Sequence, residues 1–200
     1  MKLSKILVGV CSARELYKSE LFTQEGSFTP EVEGPAVDSE GYLYAVSFEY
    51  KETIGQISPN GNGKVFIEMP ENSLANGIRF SSKEEMFIAD YQGHNILKYS
   101  NGKLSVFAHD DNMNQPNDLA IMDNDILFAS DPNWSDSTGK LWRISTDGIA
   151  TCIEENMGTT NGIEVSPDQS KLYVNESNQR RIWSYNLSSN GDISNKTLFY

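Results

Sequence analysis

Thiol and imidazole groups are scarce in this sequence: 200 residues contain two cysteines and two histidines. Cys11 and Cys152 lie far apart without a CxxC spacing, which supports neither a disulfide framework nor a zinc site. His94 in "YQGHNILKY" and His109 in "AHDDN" each sit near a turn with no spaced partner, so neither joins the candidate catalytic set. Cationic side chains are also few. Sixteen Lys and Arg face 28 Asp and Glu, and the net charge of −12 has no basic patch to offset it. Such a field repels phosphate backbones and anionic lipid, which argues against nucleic-acid and membrane partners. No run approaches the roughly 18 apolar residues of a membrane span. Helical periodicity is nearly missing, because Gly and Asn-Gly punctuate short clusters of Val, Ile, Phe and Tyr.

What is present at the start is "MKLSKILVGVCSARELYKSE", two lysines followed by an apolar stretch from Ile6 to Ala13. It has the order of an export signal but is short for one, and Cys11 follows Val10 where a lipid-modified cysteine normally follows a small residue. Residues 1–18 are therefore read as a separate segment, a weak export signal or disordered, ahead of a domain spanning 19–200. The expected location is the cytoplasm, with export as the alternative.

Self-comparison gives the organising feature. "EGPAVDSEGYLYAVSF", "NGIRFSSKEEMFIADY", "NDLAIMDNDILFASDP" and "NGIEVSPDQSKLYVNES" begin at Glu33, Asn76, Asn117 and Asn161, spaced by 43, 41 and 44 residues. Each copy carries a polar residue, a short alternating strand, a turn and an aromatic-containing strand. Third strands ("NILKYS", "GKLWRIS", "RRIWSYN") and fourth strands ("KVFIE", "SVFAH", "ATCIE", "KTLFY") follow. Four antiparallel strands at this period predict an all-β fold, a β-propeller with about four blades in the chain. A β-sandwich explains short strands but not the period. The segment "SELFTQ" at 19–24 is expected to be a further strand of the kind that closes a ring. Since the last copy carries its own fourth strand, the chain is read either as a four-bladed ring with a spare strand or, the favoured expectation, as a propeller that is incomplete at its C-terminal end.

First strands of propeller blades line the central axis, so Glu33, Asn76, Asn117 and Asn161 are expected to converge there. One carboxylate with several amide oxygens forms a hard oxygen cage suited to Ca²⁺, and the absence of nitrogen and sulfur donors disfavours zinc. Asn-Gly is also a common turn former, which is the alternative for Asn76 and Asn161, whereas Asn117 lies between Pro116 and Asp118 with no glycine to explain it. Asp90, Asp131 and Glu176 end the second strands and should return to the same rim. They are read either as supports for the amide ligands or as turn caps, with Asp131 the strongest because a polar loop carrying Trp134 follows it.

The segments "VEGPAVD", "QPNDLAI" and "TTNGIEVSPDQSKLYVNES", in this order, resemble the senescence-marker-protein/gluconolactonase/regucalcin-like family from about residue 20 onward. The resemblance implies a six-bladed propeller with a catalytic divalent metal, usually calcium, in its central tunnel, and hydrolysis of sugar lactones or related esters. Glu33, Asn117 and Asn161 match the family's metal positions; Asn76 shares the register without matching a usual ligand. A further aspartate ligand is expected one period after Asn161, beyond Tyr200. The resulting expectation is a metal-dependent lactonase acting on a small lactone or ester, with Glu33 and Asp131 as candidate catalytic carboxylates. A non-catalytic propeller scaffold, or an inactive member of the family, is the alternative.

Overall fold

The computed structural model describes residues 19–200. The expected N-terminal segment, Cys11 included, falls outside the described residues. Within them the chain forms sixteen strands and no helix. The first blade comprises β1 (Ala36–Val37), β2 (Leu43–Val46), β3 (Thr53–Ile57) and β4 (Gly63–Glu68). The second comprises β5 (Ala75–Phe80), β6 (Met86–Asp90), β7 (Asn95–Ser100) and β8 (Lys103–His109). The third runs through β9 (Leu119–Ile121), β10 (Leu127–Asn133), β11 (Thr138–Ile144) and β12 (Ala150–Met157). The fourth is β13 (Thr160–Val165), β14 (Lys171–Glu176), β15 (Arg181–Leu187) and β16 (Ile193–Leu198). Every sheet is antiparallel with its strands in sequence order.

The expected strand at 19–24 is not formed. The chain there is irregular, and the first pairing is a single bridge between Phe28 and Phe48. Leu21 and Phe22 remain exposed, so this apolar pair has no sheet face to cover and nothing holds it extended.

Three apolar clusters fill the spaces between consecutive blades. Ile54, Ile67, Ile78 and Ile88 join the first two blades; Phe87, Ile96, Leu119 and Trp142 join the next pair; Phe128, Leu141, Leu172 and Tyr185 join the last pair. Burying each of the Ile, Leu and Phe side chains among these contributes about 1.5–3 kcal/mol. The blades thus stack face to face, which sets β1 beside β5, β5 beside β9 and β9 beside β13.

Strand direction gives the stack of blades two ends. Each first strand starts at the end marked by Glu33 or its Asn counterpart and runs to a tight turn at the other. At that far end Gly41, Glu84, Asp125 and Gln169 hold the same left-handed turn position, with φ between 59° and 83°. These turns also tie neighbouring blades: Ser39 N–H donates to Glu84, Ser82 N–H to Asp125 and Asp123 N–H to Gln169, at 3.4, 2.7 and 3.0 Å.

Candidate active site

At the near end, Glu33, Asn76, Asn117 and Asn161 line one cavity of about 410 Å³, together with Arg79 and Asp118. Four residues from four repeats therefore meet at one place, as the shared register requires. Local backbone irregularities set their aim. The β5–β6 register shifts between Ala75 and Ile78, and the β13–β14 register between Thr160 and Ile163, so each Asn-Gly pair sits in a bulge. A bulge bends its strand and redirects a side chain that regular alternation would otherwise fix.

The first strands approach one another at backbone distance. A Cβ on Gly34, whose φ is +57°, would lie 2.0 Å from the Asn76 carbonyl oxygen, and one on Gly77 would lie 2.7 Å from Asp118 Cα. Glycine is thus demanded at both places. Gly77 N–H donates to the Asn117 carbonyl at 2.8 Å, and Ile163 N–H donates to Asp118 Oδ2 at 3.2 Å, linking the second blade to the third and the third to the fourth.

Each ligand candidate has a distinct environment. Asn161 donates its Nδ2–H to Ser177 Oγ at 3.0 Å, and Ser177 donates to Asn175 Oδ1 at 2.9 Å, which leaves Asn161 Oδ1 without a donor among the described residues. Asn117 is 7% exposed; its backbone N–H donates to Ser130 O, and its side-chain amide has no protein partner among the described residues. Glu33 is exposed on the cavity wall, with no ionic partner among the described residues. These donors are oxygens, as a hard divalent cation requires. Among the described residues no group of three or more His, Cys, Asp and Glu is arranged to hold a metal. The donor set fits a calcium-type ion through amides plus one carboxylate, not through a carboxylate cluster.

Asp118 and Arg79 also line the cavity, although neither belongs to the expected ligand set. Asp118 lies 3.6 Å from Arg79, which also reaches Glu164 at 3.2 Å. Burial pushes the Asp118 carboxyl up from the usual range, against the opposing pull of the Arg79 guanidinium. The available signal is positional: the residue after the ligand candidate is Gly34, Gly77 and Gly162 in the first, second and fourth copies but Asp118 in the third.

Asp131 is not brought to this cavity. It is 1% exposed, and it accepts hydrogen bonds from Asn114 N–H at 3.0 Å, Gln115 N–H at 2.6 Å and the Trp142 indole N–H at 2.8 Å. Burial raises its pKa, while these donors act to lower it. Asp90 and Glu176 repeat the arrangement, accepting from Leu74 N–H at 3.0 Å and Gly158 N–H at 2.8 Å. All three carboxylates fasten the loop that delivers the first strand of their own blade. His94 and His109 are exposed and lie outside the cavity.

Stacked four-stranded antiparallel blades with an oxygen-lined cavity where their first strands meet define a β-propeller with an axial polar site. The profile of the SMP-30/Gluconolactonase/LRE-like region matches residues 32–200, and the chain belongs to that family. A gluconolactonase of Zymomonas mobilis is 30% identical over 142 residues, covering 62% of this chain and 40% of the relative. A gluconolactonase structure from Xanthomonas campestris superposes with a TM-score of 0.72 at 17% identity, covering 84% of this chain and 62% of that one. A structure of a nidogen/laminin complex shares the fold at a TM-score of 0.67 and 21% identity, covering 78% and 60%. The chain spans less than two thirds of the length of each of these relatives.

Proposed function

We propose that the axial cavity is the hydrolytic site of a gluconolactonase-type enzyme that opens a sugar lactone or related ester, with Glu33, Asn117 and Asn161 holding a Ca²⁺-type cation. The observation that carries this reading is the meeting of those three residues, from three separate repeats, on one cavity wall. When bound, such a cation supplies Lewis-acid polarisation of the lactone carbonyl and stabilises charge developing on its oxygen.

The chain's own residues divide the remaining work. Ser177 holds the Asn161 amide so that Nδ2 faces the hydroxyl and Oδ1 is left for the ligand. Glu33 is the cavity carboxylate without a competing ion pair among the described residues, so it is the group able to take a proton from an attacking water. Asp118 is engaged by Arg79 and by Ile163 N–H, which makes it a strut between blades. Asp131 acts at one remove, by fixing the Asn114–Gln115 turn that leads into Asn117.

The test is a calcium titration followed by melting temperature, paired with hydrolysis of an aldonolactone before and after chelation. The expected result is a calcium-dependent rise in melting temperature and turnover that disappears on chelation. Turnover surviving exhaustive chelation overturns the metal-dependent reading. A binding scaffold, using the propeller rim without a bound metal, is the second reading. It predicts neither calcium stabilisation nor turnover.

A further inference from the structure

A second cavity, of about 380 Å³, opens at the far end between the first and second blades. Its walls include the rings of Tyr44, Phe66, Phe80 and Tyr99, and its rim includes the carboxylates of Asp38 and Glu84. The rings contact one another with centroids 5.1–5.2 Å apart. Asp38 accepts the Tyr44 hydroxyl at 3.0 Å, and neither Asp38 nor Glu84 has a cationic partner among the described residues.

The neighbouring blade shows what this arrangement accommodates. Tyr44 pairs with Gln56 across β2 and β3, and Phe87 pairs with Lys98 across β6 and β7, so Gln56 and Lys98 hold the same repeat position. Phe66 and Phe107 likewise both occupy the register shift of the fourth strand. In the second blade Phe87 and Phe107 pack at 4.8 Å, and Lys98 places its ammonium 5.2 Å from the Phe107 centroid and 3.3 Å from Glu85. The third blade also puts a cation there, Arg143, paired with Asp192. In the first blade that position is the neutral Gln56, whose amide donates to the Tyr44 hydroxyl at 2.5 Å. The aromatic pair recurs in the second blade, but in the first the side-chain cation is missing, as it is at Ser184 of the fourth, and beside Gln56 a cavity with its own rim carboxylates stands open.

We infer that this far-end cavity binds a small organic cation, an alkylammonium, which supplies from outside the charge that Lys98 supplies in the next blade. Aromatic walls desolvate and attract such a cation, and the rim carboxylates neutralise it. The site is at the opposite end of the first strand from Glu33 and is independent of the lactonase reading.

Calorimetric titration with choline, and with its uncharged isostere in which carbon replaces the quaternary nitrogen, tests this. Saturable choline binding is expected, with the isostere weaker by about tenfold. Gln56→Lys, which copies the second blade, should abolish choline binding while leaving the melting curve intact. Absence of saturable choline binding, equal binding of the isostere, or unchanged binding in a folded Gln56→Lys variant overturns the inference. Should Gln56→Lys fail to fold, Glu84→Gln decides: several-fold weaker choline binding supports the site, and unchanged binding overturns it.

Discussion

Asn161 Nδ2 and Ser177 Oγ lie 3.0 Å apart, and that contact determines which end of the Asn161 amide is left for a cation. Ser177→Ala removes the acceptor and frees the amide to rotate. Calcium affinity should fall about tenfold, the lower range for a supporting contact around a metal ligand. The measurement is the calcium concentration giving half the maximal rise in melting temperature, with the calcium-free melting curve unchanged.

Glu33→Gln replaces the charged oxygen of the cage with an amide of the same shape. The calcium-dependent stabilisation should vanish; for a single site it reaches about 2.7 kcal/mol at a hundredfold excess over Kd. Lactone turnover should fall about a hundredfold or more, the scale of losing charge stabilisation in a hydrolytic site. Urea unfolding without calcium should scarcely change, because the Glu33 side chain is exposed.

Gly34→Ala forces a methyl to 2.0 Å from the Asn76 carbonyl in a left-handed backbone conformation. Backbone strain and overpacking together should cost about 2–4 kcal/mol in urea unfolding. Gly102→Ala, also at positive φ but with open space around it, should cost clearly less.

Asp131→Ala leaves two backbone N–H groups and the Trp142 indole without their acceptor. The expected loss is roughly 3 kcal/mol or more of stability, read from the urea midpoint. Turnover per folded molecule should fall by a smaller factor than in Glu33→Gln.

Burial raises the Tyr44 phenol to about 12, above its ordinary value of 10.0, with Asp38 adding to the rise and Gln56 opposing it. The folded-state value is the higher one, so the neutral phenol's contribution is complete below about pH 10 and is lost as pH climbs through about 12. Unfolding free energy should decline over that interval, and the decline should be shallower in Tyr44→Phe.

The repeat was legible because each blade writes the same sequence pattern, and the strands follow the alternation in "LYAV", "MFIA", "ILFA" and "LYVN". The axial grouping of Glu33, Asn117 and Asn161 was legible for the same reason, since shared register becomes shared position when blades surround an axis. The extended form expected at 19–24 was not realised, because apolar alternation makes a strand only where a sheet edge accepts it. Nor could the sequence show which way Asp131 points: its role depends on N–H groups of a loop seventeen residues earlier. Arg79 and Asp118 become partners only when the second and third blades pack together.

The loop-fastening carboxylate is present in three blades as Asp90, Asp131 and Glu176, but the first blade has Ser47 at that position, holding Thr29 N–H through its backbone carbonyl alone. The approach to Glu33 thus lacks the buried carboxylate acceptor of the other three and relies on backbone pairing, Thr29 N–H to Ser47 O and Glu49 N–H to Ser27 O, and on the exposed Lys51–Glu31 ion pair, so its amides should exchange with deuterium sooner than those before Asn76, Asn117 and Asn161. A cation bound at the axis would then do more than occupy a site: by engaging Glu33 it would slow that exchange, so ligand occupancy and local order at the first blade would be thermodynamically linked.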